Sequence, residues 1–154
     1  MTAPTASDGR DRAALAHVRE LLSELYLDTD VEADREWRAR ELADSPFPIE
    51  RIERILAEEV HPVCRGNLWT VIGAWAGFDP SWLEASIERR TRSPLRWLHR
   101  FDPGRRSALR DPEWLATRRR VLERRAGRAR ERLAPGPGSE DRPRPRRNRR
   151  TPFP

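Results

Sequence analysis

Asn67-Leu-Trp-Thr-Val-Ile-Gly-Ala-Trp-Ala-Gly-Phe78 is the stretch on which the fold turns. From Gly66 to Phe78 the chain runs thirteen residues without a charge, too short to span a bilayer. Trp69 and Trp75 stand six positions apart, about 240° around a helix that turns about 100° per residue. Apolar side chains on nearly every side predict a buried central helix at about 64–76. Gly77 supplies a stop, and Asp79-Pro80 pairs an N-cap with proline at the first helical position.

On the N-terminal side, Pro62 is expected to break or kink the preceding run near Val60-His61. Ile49, Ile52, Ile55 and Leu56 form a strong helical stripe, and Ser45-Pro46-Phe47-Pro48 before it is a rigid turn. A helix ending near Ala43 is expected to bury Val31, Trp37 and Leu42, opened by a capping box between Thr29 and Glu32. Leu15, Val18, Leu22 and Leu25 mark a first helix from Asp11 to about Leu27. The first ten residues are small and polar and are expected to be disordered.

On the C-terminal side, a fifth helix turns Trp82, Leu83 and Ile87 inward. Ser93-Pro94 starts a short helix bearing Leu95, Trp97, Leu98 and Phe101, and Asp102-Pro103-Gly104 is a turn. Asp111-Pro112 repeats the cap-then-proline device before a helix of about twenty-two residues, roughly 33 Å, ending at Leu133. On it Leu115, Leu122, Ala126, Ala129 and Leu133 fall within about 60° of one another, with Arg120, Arg124 and Arg128 on the far side. Asp79-Pro-Ser-Trp-Leu83 and Asp111-Pro-Glu-Trp-Leu115 are one helix start used twice, since their flanks do not match.

The expected architecture is all-α: about five short helices around the apolar one, a basic C-terminal helix, and a tail. It divides into a disordered N-terminus (1–10), an acidic helical domain (11–90), a basic helical extension (91–133) and a disordered Arg/Pro-rich tail (134–154). The chain has 154 residues, 36% charged and 36% apolar, room for one domain with a modest core.

Charge is segregated. Residues 1–88 carry a net −9 and residues 89–154 a net +15, for +6 in all. All thirty-one basic residues are arginine. A GC-rich coding bias accounts for the missing lysine, but not for the opposite signs of the two halves. Arg118, Arg120, Arg124 and Arg128 on the last helix, with Arg142, Arg144, Arg146, Arg147, Arg149 and Arg150 in the tail, are the candidate nucleic-acid contacts. Such a segment attracts polyphosphate by releasing counterions, and it positions without reading sequence. The competing expectation is that the basic segment stays solvated or folds back on the acidic half of its own or a sister chain.

Catalytic signals are sparse. There is no glycine-rich phosphate loop, nucleophile elbow or HExxH motif. Glu58-Glu59-Val60-His61 offers one Glu-x-x-His run, where a di-iron bundle needs two and further glutamates. Cys64, the one cysteine, rules out an intramolecular disulfide. A Cys64–His61 thiolate–imidazole pair is the residual catalytic candidate; His17 and His99 have no partner at useful spacing. Trp97 and Trp114, in the basic half, are better candidates for an interaction surface than the other tryptophans, although capping of the core is the stronger expectation for both. No cofactor or metal is implied. The N-terminus lacks a basic-then-apolar signal pattern, so a soluble cytoplasmic protein is expected, with no membrane association.

Several of these residues carry a resemblance. Leu22-Ser-Glu-Leu-Tyr-Leu-Asp-Thr-Asp30, Ser45-Pro46, Glu59-Val60, Pro62-Val63, Asn67-Leu68 and Gly73-Ala-Trp-Ala-Gly-Phe-Asp79 with Trp82-Leu83 resemble a family of short bacterial helical proteins, a domain of unknown function. The resemblance covers about residues 20–88, implies a helical domain standing on its own, and brings no activity or catalytic residue. The functional expectation is a non-catalytic module whose acidic body binds a protein partner, with an accessory nucleic-acid binder as the alternative. An enzyme built on His61 and Cys64 stands third.

Overall fold

The computed structural model describes residues 6–27, 33–67, 78–94 and 104–133. Residues 68–76 of the expected central rod, with Trp69 and Trp75, the Thr29–Glu32 cap, the helix around Trp97 and the tail arginines 142–150 lie outside the described residues. Within them the fold is all-α and no strand is present.

Helix α1 (Ala6–Ser23) runs into a 3-10 turn at Glu24–Tyr26. It starts five residues before the expected Asp11, so residues 6–10 are helical rather than disordered. Val18, Leu21 and Leu22 are buried on its inner face. Helix α2 (Arg35–Asp44) buries Arg38, Ala39, Leu42 and Ala43, while Trp37, expected inside, is 41% exposed. The thin apolar face of this segment explains the difference: two alanines and the stem of Arg38 pack more closely than an indole would.

After the Ser45–Pro48 turn the chain is helical without a break through α3 (Ile49–Arg54), a π-helical stretch (Ile55–Val60) and α4 (His61–Asn67). Ile49, Ile52, Ile55, Leu56 and Val60 are all buried, as the stripe predicted. The expected break at Pro62 does not occur. Proline cannot donate to the carbonyl one turn back and crowds it. The wider π turn just upstream, where the His61 N–H reaches the Leu56 carbonyl five residues back, shifts the register before Pro62 is met.

Helix α5 (Pro80–Arg92) opens as predicted: the Asp79 carboxylate accepts from the Trp82 N–H at 2.7 Å. Leu83 and Ile87 are buried, and Trp82 is half-buried, stacked on Phe78 with ring centroids 5.7 Å apart. Helix α6 (Gly104–Arg110) lays Ala108 against the core.

Helix α7 (Pro112–Leu133) is capped by Asp111, which accepts from the N–H groups of Glu113 (2.9 Å) and Trp114 (3.0 Å). The sequence reading set this helix outside the acidic unit. In the structure Trp114 and Val121, both fully buried, join one hydrophobic cluster with Leu42, Ile52, Ile55 and Val60. The boundary expected near residue 90 is therefore not a core boundary. Trp114, weighed both for a surface and for the core, is the largest fully buried side chain among the described residues.

Candidate functional site

The arginines of α7 decide what the helix can do, because they fix which side of it faces the body. Arg124 pairs with Glu36, which Arg120 also approaches at 3.8 Å, and Arg128 pairs with Asp44. The hydrogen bond from Arg124 holds the Glu36 carboxyl below its usual range. On the other flank Arg118 donates to Glu53 at 2.7 Å. All four helix arginines singled out for phosphate contact thus face carboxylates of the acidic half. This is the fold-back arrangement, and it reduces the charge available to a polyanion.

Arg125 is engaged differently. Its guanidinium donates to the carbonyls of Leu42 (2.9 Å) and Phe47 (2.8 Å), with longer bonds to Ala43 (3.3 Å) and Ser45 (3.5 Å). These carbonyls lie at the open end of α2 and in the proline turn after it, where no amide of the helix can reach them. Burial lowers the pKa of Arg125, yet a guanidinium remains charged at any working pH.

At the other end of the α2–α7 contact, Arg35 grips Glu113 through Nε (2.9 Å) and Nη2 (2.5 Å). Arg38, with a side chain only 1% exposed, reaches the same carboxylate at 3.3 Å and Glu24 at 3.5 Å. The Arg35 hydrogen bond, against the cost of burial, pulls the Glu113 pKa below its ordinary value. Burial raises that of Glu24, with Arg38 opposing it. None of these four groups was singled out from sequence as functional. They form a buried ionic clamp, and the acidic body they belong to is largely engaged with the chain's own arginines.

This roll of α7 leaves a face outside. Leu115 is 46% exposed, Leu122 37% and Leu133 83%; Ala126 and Ala129 between them are exposed as well. These are the five residues of the predicted apolar face. The buried trio Trp114, Thr117 and Val121 lies about 120° around the helix from them. A row of exposed apolar residues on one helix face has the composition of a contact surface.

The catalytic candidates diverge. His61 is buried, and its Nδ1 shares a 2.8 Å hydrogen bond with the Tyr26 hydroxyl, the two rings tilted at 50°. Glu58, three residues earlier, is exposed and pairs with Arg105 on α6. Cys64 is fully buried, and burial pushes its thiol up to about 12, the opposite of an activated thiolate. Burial likewise raises the Tyr26 phenol. Among the described residues no three His, Cys, Asp or Glu side chains gather where a metal ion could sit. His17, thought solitary, lies 3.6 Å from Glu41.

Two clefts are open to solvent. One, about 390 Å³, lies between α3 and α6 and is lined by Glu50, Glu53, Arg54, Ala57, Arg105, Arg106 and Leu109. The other, about 630 Å³, lies between α1 and α5, where Arg19 ties Glu59 (2.7 Å) to Glu84 (2.5 Å). Both mix charges of either sign, and the larger also carries Ser81, whose hydroxyl donates to the Asp79 carboxylate at the start of α5. No helix of the described residues is long and apolar enough to cross a membrane.

Comparison with curated proteins and with solved structures gave no match. One family model does match, over residues 13–125, reaching beyond the resemblance seen at 20–88 to take in α6 and most of α7. That span agrees with a core in which Trp114 and Val121 participate. The chain therefore belongs to the family defined by a domain of unknown function, DUF7079.

Proposed function

We propose that this domain is a non-catalytic protein-interaction module, acting in the cytoplasm, that docks a partner on the outward face of α7. The observation that carries the reading is the row Leu115, Leu122, Ala126, Ala129 and Leu133 standing in solvent on a chain that is 36% charged. Leaving such a row wet forgoes burial worth about 25 cal/mol for each Å² covered. The acidic body, first expected to hold the partner, is the weaker candidate, because Glu36, Asp44 and Glu53 are engaged by arginines of the same chain.

The experiment is affinity capture from nuclease-treated extract with the full chain and with a Leu115→Asp/Leu122→Asp variant, read by mass spectrometry. The proposal expects proteins retained by the parent and lost by the variant. Identical capture by both, or turnover of a small molecule at enzyme-like rates, contradicts it.

A further inference from the structure

The outward face of α7 has a period as well as a composition. Leu115, Leu122 and Ala129 are seven residues apart, and so are Ala126 and Leu133. The two rows interleave with steps of three and four, the pattern of a helix that pairs with another helix. Arg119 occupies the one seam position that an apolar residue does not fill.

The charge around this seam tells what belongs on it. Arg119 within it, and Arg130 bordering its far end, are exposed and make no ion pair among the described residues. This sets them apart from Arg118, Arg124 and Arg128 on the inward side. Glu123 is the one acidic residue on the seam's flanks. A second copy laid along the same face brings like charges together and is disfavoured. A nucleic acid would meet leucines where it needs phosphate partners.

Resting on the proposed function above, we infer that the α7 face receives an amphipathic helix of a partner protein whose apolar seam is bordered by aspartate or glutamate. Leucines of the incoming helix cover Leu115, Leu122 and Leu133. The two alanines between them let the backbones approach closely, and the partner's carboxylates meet Arg119 and Arg130. Helix-in-groove recognition of this kind takes its affinity from the apolar anchors and its choice of partner from the flanking charge.

The test uses the full chain and a labelled three-heptad peptide with leucine at both seam positions and glutamate at the flanking ones. A second peptide, identical except for lysine at the flanks, is the control. Fluorescence anisotropy is expected to show the glutamate peptide binding at least about tenfold more tightly than the lysine one. Leu115→Asp/Leu122→Asp should weaken it at least about tenfold with an unchanged far-UV circular dichroism spectrum, since both leucines are exposed. Arg119→Glu/Arg130→Glu should reverse the preference between the peptides.

Equal binding of both peptides, or of neither, overturns the inference. So does a dimer in sedimentation that Leu122→Asp abolishes, because the occupant is then a second copy. If extract proteins are still captured through Leu115 and Leu122 while the glutamate peptide does not bind, this inference falls and the proposed function stands. If neither result appears, both fall.

Discussion

Arg125 gives the most exacting test of how α7 is joined to the body. Replacing it with methionine keeps much of the aliphatic stem and removes the guanidinium from the carbonyls of Leu42 and Phe47, at 2.9 and 2.8 Å. Hydrogen bonds to a charged group contribute about 1.5–3 kcal/mol each. Two more carbonyls, of Ala43 and Ser45, lose weaker contacts at 3.3 and 3.5 Å. Against this, Arg125 is only half-buried, so water replaces part of what is lost, and its desolvation cost disappears with it. The balance is a loss of about 2–3 kcal/mol. With a urea dependence of about 2 kcal/mol/M, the unfolding midpoint should fall by about 1–1.5 M. The control is Arg120→Met, whose contact with Glu36 is 3.8 Å long between two side chains more than half exposed. Its effect should stay below about 0.5 kcal/mol. Equilibrium unfolding followed by far-UV circular dichroism measures both. If Arg125→Met shifts the midpoint no more than Arg120→Met, the guanidinium is not holding the end of α2 and the reasoning is refuted.

Trp114→Ala should cost about 3–5 kcal/mol and Leu115→Ala no more than about 0.5, a contrast between adjacent residues that urea titration resolves directly. Native Cys64 should alkylate at pH 8 at least about a hundredfold more slowly than in urea, because burial raises its pKa to about 12; rapid labelling of the folded chain would restore the thiolate candidate. Glu113, with its folded pKa pulled below 4.5 by Arg35, contributes stability at pH above that value. The contribution is lost as pH falls through the lower folded value, so Glu113→Gln should flatten the acid limb of the stability curve below about pH 4.5.

The two Asp-Pro-x-Trp-Leu starts show where sequence informs and where it stops. Both cap their helices as the motif requires, with Asp79 on the Trp82 amide and Asp111 on the Trp114 amide. Yet α5 buries the leucine, Leu83, and leaves Trp82 half-exposed, while α7 buries Trp114 and leaves Leu115 in solvent. Local chemistry sets where a helix begins; its roll depends on partners far away in the chain. For α7 those partners are Glu36, Asp44, Glu53 and the carbonyls after Leu42, reached across 65 to 88 residues. Periodicity therefore found the five-residue apolar face and assigned it no orientation. The opposite charges of the two halves were the signal that could have supplied one, since carboxylates of the acidic half must meet the arginine side.

The stripe from Ile49 to Leu56 was legible because four branched or long apolar side chains at helical spacing admit one inward direction. The helix through Pro62 was not, since a π turn is a local change of register that residue spacing does not announce. Trp37 and Trp114 part company for a related reason. Size alone suggests burial for either, and the position of each on its helix decides. For the candidate site, the sequence singled out Arg118, Arg120, Arg124 and Arg128 for phosphate contact, and residue spacing could not name the carboxylates they face. The Arg35–Arg38–Glu113 clamp had no local signature at all.

Cysteine labelling at two adjacent positions of α7 probes its orientation most directly. In a Cys64→Ala background, Leu122→Cys should react with a thiol reagent nearly as fast as unfolded chain, and Val121→Cys at least about a hundredfold more slowly, matching side chains 37% and 0% exposed. Equal rates at 121 and 122, or protection at 122 with reaction at 121, would contradict an α7 that turns its arginines inward and its leucines out.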